Sequence, residues 1–282
     1  MSQIAALIPC FNDEYVIPLA VASIAPHVDE ILVFDDGSDS ETKQVLGRIA
    51  GKTANMRIIR GGNNQATWCG ARVELMKHTG AEWLLFMDSD DILCDAGADE
   101  LTRMRASRQS WIQLGLLELW GDFRCGTGRG WGKPHHDCCH VLVRRGGRRR
   151  VVWRTEDTFT KLTVEGVGRS FQWSHVVMAH AKGVKSDKRL VQRAMIREWM
   201  RSGGTGRYED WWGLHGVSGM ELHRRANGIL FGGKTDPIKR LPPGVCAPSV
   251  CASGERFCVV WKDGVAMDRT EYCGVTMGGG RK

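Results

Sequence analysis

Three carboxylates stand within four residues where the apolar run LLFM ends in DSDD, at positions 88–91. Asp88, Asp90 and Asp91 would repel one another at the edge of a core unless a cation or hydrogen-bond donors sat among them. In an extended segment, side chains two positions apart point the same way, so Asp88 and Asp90 can face one point. Hard divalent cations such as Mg²⁺ and Mn²⁺ take carboxylate oxygens. A cation held by only one or two carboxylates keeps positions open, and a diphosphate can fill them. A solvated acidic turn capping a helix would have the same composition, because Asp is also a good N-cap.

Other residues could join this chemistry. Glu156 and Asp157, in TEDTF at 155–159, are carboxylates able to take a proton; they would equally suit the first turn of a helix capped by Thr155. His180 closes the apolar pattern VVMAH, where a lone histidine is more often structural than a ligand. The HHDCCH run at 135–140 is too crowded for all its members to bind one ion, and it reads better as acceptor loop or plain surface. Ten cysteines are scattered, with no CxxC pair. Cys246, Cys251, Cys258 and Cys273 are crowded enough for a structural zinc site but miss the usual ligand spacing; free thiols in a reducing compartment are the alternative.

The elements that must position these groups follow from the apolar pattern. Residues 4–9, 30–34, 56–59 and 83–87 are short apolar runs, and residues 14–24, 39–49 and 66–77 have helical periodicity. Strands separated by such helices predict βαβ units and a mainly parallel sheet with helices on both faces, an α/β fold. Ligands of such sheets gather beyond the carboxyl ends of the strands. That edge is where PCFNDE follows the first strand, DDGSDS the second and DSDD the fourth. The convergence of three acidic or polar loops says more than any one of them. In the second half, strands are predicted at 110–120 and 171–181, with 141–143 pairing 151–153 around RRGGRRR. Residues 121–138 read as a loop, 156–163 as a short helix, and 187–200 as a basic amphipathic helix. SGGTG at 202–206 is the expected boundary, with a helix at 211–227 and a hairpin in RFCVVWKDGVAMDR beyond it.

Net charge is +7, and the excess is uneven. Arg144, Arg145, Arg148, Arg149 and Arg150 form one cluster, and a second basic stretch runs over 182–201. Such clusters suit phosphate-bearing partners or a solvated face. Eleven tryptophans are many for 282 residues. Trp120, Trp131 and Trp153 sit near polar or glycine-rich stretches, where an indole can stack on a sugar ring or a nucleobase as well as pack in a core. No apolar run approaches the roughly 20 residues of a membrane span. The N-terminal MSQIAALIPCFNDE has no basic region before its apolar run, so a cytoplasmic protein without a secretory leader is expected.

PCFNDEYVIPLAVASI, ILVFDDGSDS and GNNQATWCGARVELMKHTGAEWLLFMDSDD, in this order and spacing, closely resemble the family 2 glycosyltransferases of GT-A fold. The resemblance is strong over about the first 95 residues and extends more weakly through TEDTF and HAKGVKSDKR, at 180–189. It implies that Pro9, Phe11, Asn12, Glu14 and Asp36 hold the nucleotide base and ribose, and that Arg72 lines the nucleotide pocket. It implies that Asp88 approaches the ribose or metal, with Ser89 beside it in the donor set, and that Asp90 coordinates Mn²⁺ or Mg²⁺ with His180 as third ligand. Asp157 would be the general base, with Glu156 as its rival. Lys182, Lys185 and Arg189 would help hold the diphosphate. The chain departs from the family at Asn63-Asn64-Gln65, where N-x-G is frequent, and at Val73, where the arginine is usually followed by Asn. Both positions shape the nucleotide pocket.

The expectation is thus a metal-dependent inverting glycosyltransferase. It would move a sugar from a nucleoside-diphosphate sugar, UDP-sugar first, to an acceptor hydroxyl. The acceptor would be a saccharide or a hydroxymethylated base in DNA, as for some viral enzymes, with Trp120, Trp131, Trp153 and Arg148 toward it. A sugar-nucleotide nucleotidyltransferase shares the architecture but usually carries a Gly-rich loop and a lysine after its first strand, where this chain has PCFNDE. A binding protein with a degenerate transferase core is the third alternative. The expected organisation is a catalytic domain at 1–205, divided into a nucleotide-sugar half at 1–95 and an acceptor half at 96–205, followed by a Cys- and Gly-rich extension at 206–282.

Overall fold

The alternating pattern of the first ninety residues becomes one side of a large sheet in the computed structural model. It describes residues 3–61, 68–94, 101–120, 122–126, 141–145, 150–156, 159–165, 171–183, 189, 239–240, 260–262 and 265–267. Here β1 (Ile4–Cys10), α1 (Ile17–Ile24), β2 (Glu30–Asp35), α2 (Ser40–Ala50), β3 (Met56–Arg60), α3 (Trp68–Lys77) and β4 (Trp83–Phe86) follow one another. β1 pairs in parallel with β2 and with β4, and β2 with β3, so the order is β3-β2-β1-β4.

β1, β2 and β4 are buried on both faces, which is why they read as apolar runs, whereas the edge strand β3 exposes Arg57 and Arg60. Ile4, Ala6, Ile8, Ile31 and Val33 share one apolar cluster with Ile17, Val21 and Ile24 of α1. Ala5, Leu7, Leu32 and Phe34 share the opposite cluster with Ala71 and Leu75 of α3. Helix α2 starts where Asp39 accepts the Thr42 N–H at 3.0 Å, and it stops at Gly51.

The second half widens the sheet with mixed pairing. It contributes β5 (Asp91–Leu93), β6 (Trp111–Trp120), β7 (Asp122–Gly126), β8 (Val141–Arg144), β9 (Arg150–Glu156), β10 (Phe159–Glu165) and β11 (Phe171–Gly183). β8 lies antiparallel between β4 and β6. β11 runs parallel to β6 and antiparallel to β5. Downstream, β12 (Lys239–Arg240) pairs with β7, so the segment beyond residue 205 adds a strand to the main sheet. β13 (Val260–Lys262) and β14 (Val265–Met267) form the hairpin expected at 256–269. No described helix is long and apolar enough to cross a membrane.

Three expectations need correction. Residues 151–153 pair with β10 rather than with 141–143, which are already held between β4 and β6. Residues 156–163 are not helical: Glu156 ends β9, Phe159 opens β10, and Glu156 opposes Phe159 across the hairpin. The β-branched and aromatic residues of RVVWRTE and FTKLTVE favour a pleated surface and override the acidic helix-start signal. Part of the loop expected at 121–138 is a strand, because Asp122–Gly126 turns back along β6. The helices expected at 187–200 and 211–227, and the SGGTG boundary, lie outside the described residues except for Arg189, which is helical.

Candidate active site

Between β1 and β4 the strand order reverses, the position at which open α/β sheets hold ligands beyond their carboxyl ends. A cleft lies there. Pro9, Cys10 and Phe11 line it from the end of β1, with Asp13 and Asp36 beside them. Ala71 of α3 and Asp88, Ser89 and Asp90 after β4 complete the lining. The three polar loops singled out in the sequence therefore meet in one cleft.

The first two loops brace each other. Asn12 has φ 53°, in the left-handed region that Asn tolerates better than most residues. Its N–H donates to Ser38 Oγ at 3.1 Å, and its Oδ1 accepts the Asp39 N–H at 2.9 Å. In the second loop, Asp35 Oδ1 accepts the Ser38 N–H at 2.9 Å and closes the turn around Gly37, whose φ is 81°. Of the adjacent pair Asp35 and Asp36, the first is committed to the turn and the second lines the cleft. Asn12, expected against the nucleotide, uses its side chain to hold the neighbouring loop.

Glu14 and Arg189, also expected on the donor, meet each other. Arg189 donates from Nε to Glu14 Oε1 at 2.9 Å and from Nη2 to Glu14 Oε2 at 3.0 Å and to Asp39 Oδ2 at 2.5 Å. Thr42 Oγ1 also donates to Glu14 Oε2, at 2.9 Å. The Glu14 and Arg189 side chains are about 95% buried, so this is a desolvated ion pair linking residues 175 apart. Burial opposes ionisation of Asp39, but the Thr42 N–H and Arg189 outweigh it and hold its carboxyl below the ordinary value. Burial likewise works against the charge of Arg189, and Glu14 with Asp39 raise its pKa further above the usual arginine range.

At the third loop, Asp88, Asp90 and His180 are all buried, and each offers a ligand atom within 4.8 Å of the others. Arg72, midway along α3, donates to Asp88 Oδ1 in a buried ion pair, so its guanidinium orients the first carboxylate of DSD. Ser89 Oγ donates to Asp13 Oδ2 and ties this loop to the first. His180 reaches the group from β11, where it lies opposite Asp91 in the antiparallel register with β5. The Ala181 N–H donates to the Asp90 carbonyl at 2.7 Å and fixes that register next to the cluster. Two carboxylates and an imidazole at this separation are a chemically suitable donor set for Mn²⁺ or Mg²⁺.

Sequence reasoning assigned no role to Asp39 or Thr42, which brace the loops, and showed Asp91 only as a third charge; Asp13 lies within the Pro9–Glu14 segment expected at the nucleotide and accepts from Ser89 Oγ. Apart from the local bonds of Asp39 to Thr42 and of Asp91 to Asp88, their partners lie 27 to 150 residues away, which no local pattern discloses. Arg144 and Arg145, the first two members of the basic cluster, have structural partners. Arg144 donates to Glu82 and lies 5.7 Å over the Trp83 ring; Arg145 donates to the carbonyls of Met76 and Thr79 at the end of α3. Glu156 and Trp153 belong to β9, and Trp120 ends β6. Asp157, Lys185, Arg148, Trp131, the HHDCCH run and the four tail cysteines lie outside the described residues.

Residues 5–96 match the sequence model of glycosyl transferase family 2. No curated protein matches the chain. Among solved structures, S. aureus TarS 1-349 is 18% identical with a TM-score of 0.41, over 50% of this chain and 47% of that one. The chain thus spans about half the length of that structure. The mannosyltransferase PcManGT from Pyrobaculum calidifontis, in complex with GDP-Man and Mn²⁺, is 14% identical with a TM-score of 0.45, over 82% of this chain and 74% of that one. GalNAc-T7 with UDP, GalNAc and Mn²⁺ is 14% identical with a TM-score of 0.38, over 57% and 30% of the two chains.

Proposed function

We propose that the chain is a metal-dependent glycosyltransferase that moves a sugar from a nucleoside-diphosphate sugar, UDP-sugar first, to an acceptor hydroxyl with inversion at C1. The observation that carries this reading is the gathering of Asp88, Asp90 and His180 beside a cleft at the strand-order reversal. The family 2 match over the strands that build this cleft supports it.

In this reading Asp36, with the loop after β1, receives the base and ribose. Arg72 holds Asp88 in place by its ion pair. Asp90 and His180, with Asp88, hold Mn²⁺ or Mg²⁺. When bound, the cation supplies Lewis acidity to the leaving diphosphate. Lys182 and Lys185 add positive charge on the diphosphate side. Glu14 and Arg189, which bond each other, keep the donor loops in register instead of contacting the donor. The acceptor oxygen attacks C1 while the bond from C1 to the diphosphate oxygen breaks, its electron pair leaving with the diphosphate. The hydroxyl proton passes to Asp157, next to the β9 end, with Glu156 as the alternative base. The acceptor is a saccharide or a hydroxymethylated DNA base, and Trp120, Trp131, Trp153 and Arg148 are the candidate contacts. Residues 1–205 would carry the transfer, with 206–282 as an appended segment.

The test is a donor screen with Mn²⁺ and a panel of nucleotide sugars. Nucleoside diphosphate release is followed with and without saccharide acceptors and hydroxymethylated DNA. Release from one donor, lost in Asp90→Ala, supports the proposal, and stimulation by an acceptor names its class. Pyrophosphate release would mark a nucleotidyltransferase; no binding or turnover of any donor would point to a degenerate core.

A further inference from the structure

The metal-holding role of Asp90 and His180 leaves Asp91 unexplained, although it is fully buried at the same turn. A carboxylate in that position is costly unless its oxygens are well partnered. Asp91 Oδ1 lies 2.8 Å from His180 Nδ1, and Asp91 Oδ2 accepts the Asp88 N–H at 2.5 Å. In return the Asp91 N–H donates to the Asp88 carbonyl at 3.1 Å. One side chain thus grips the backbone of the first carboxylate ligand and the ring of the histidine ligand. An ionised carboxylate only accepts hydrogen bonds, so pairing with Asp91 favours the His180 hydrogen on Nδ1 and the lone pair on Nε2. His180 Nδ1 is also 3.5 Å from Asp90 Oδ1, a longer and weaker approach than that to Asp91.

We infer that Asp91 is a positioning residue for the metal site: it fixes the tautomer and orientation of His180 so that Nε2 is the ligating atom, and it sets Asp88 against it. This rests on the metal-dependent reading above. Partners that orient a ligating imidazole typically contribute about 10–100-fold in metal affinity. Asp91→Asn keeps the size of the side chain but has one acceptor oxygen where two are used. Its amide must face either the ring N–H or the Asp88 N–H.

The experiment measures Mn²⁺ affinity of the full chain by titration calorimetry or electron paramagnetic resonance, without substrate. The proteins are wild type, Asp90→Ala, Asp91→Asn, His180→Ala and the double variant Asp91→Asn/His180→Ala. Asp91→Asn is expected to weaken Mn²⁺ binding about 10–100-fold. In the His180→Ala background the same change is expected to have a smaller effect, because only the hold of Asp91 on the Asp88 N–H then remains. A second readout needs no change at position 91. The ¹⁵N resonances of His180 in the metal-free wild type, assigned by their loss in His180→Gln, should show the Nδ1–H tautomer. Unchanged affinity in Asp91→Asn, a fully additive effect in the double variant, or an Nε2–H tautomer would overturn the inference. If the wild type binds Mn²⁺ and Asp90→Ala does not, those outcomes remove the positioning role alone. If the wild type binds no Mn²⁺, the metal-dependent reading falls and the inference with it.

Discussion

Asp90 and Asp157 carry the sharpest predictions at the scale of single residues. Asp90→Ala removes a proposed metal oxygen, and the Lewis-acid contribution at stake is several kcal/mol. At about 1.4 kcal/mol per decade, transfer should fall by about 10³-fold or more, measured as initial rate at saturating Mn²⁺. A variant with near wild-type turnover would remove Asp90 from the metal site. For Asp157→Asn the expected loss is about 10²–10⁴-fold in turnover with donor binding preserved. Full activity there would pass the base role to Glu156. DSDD was legible as chemistry because charges massed at the end of an apolar strand need a reason. The division of labour inside it was not. Asp88 is held by Arg72, and Asp91 by His180 across a pairing that joins residues 89 apart.

At the scale of elements, the close fit of β2 against the segment after β3 can be tested. The Gly61 N–H donates to the Asp35 carbonyl at 2.9 Å, and a Cβ at Gly61 would overlap the Phe34 ring. Gly61→Ala should therefore destabilise by about 1–3 kcal/mol in urea unfolding, with Phe34→Leu in the same chain recovering part of it. A loss no smaller in the double variant than in the two single changes added together would show that the ring is not the obstacle. β1, β2 and β4 were readable because both faces are buried, and α2 because it is amphipathic. The hairpin of β9 and β10 was not, because TEDTF carries a helix-start composition whose strand character appears only with its partner in register. The place of β8 between β4 and β6 was equally hidden, since VLV is too short to name its neighbours.

At the scale of the whole molecule, the Arg189 pair joins the distant part of the chain to the loops after β1 and β2. Arg189→Ala would leave the Glu14 carboxylate buried beside Thr42, and such a break typically costs about 3–5 kcal/mol. Urea unfolding measures it, and Glu14→Gln in the same variant should restore part of the loss. The Asp39 carboxyl adds a pH dependence. Its folded pKa lies below the ordinary 3.8, so its contribution is present above that value and is lost as pH falls through the folded one. The melting-temperature gap between wild type and Asp39→Asn should therefore be constant above about pH 5 and shrink below about pH 4. A gap that persists undiminished to pH 2 would count against it. The antiparallel seat of β8 has a consequence for how the protein can be made. β4 has β1 on one side and β8 on the other, yet β8 is translated about fifty residues after β4. Until then the growing chain presents a bare strand edge of Trp83, Leu84, Leu85 and Phe86, the kind of template on which chains stick together. The family-matching stretch, which ends at residue 96, is therefore not a portable module. Expressed alone it should aggregate, and a synthetic peptide bearing Val141–Arg144 is the natural candidate to keep it in solution.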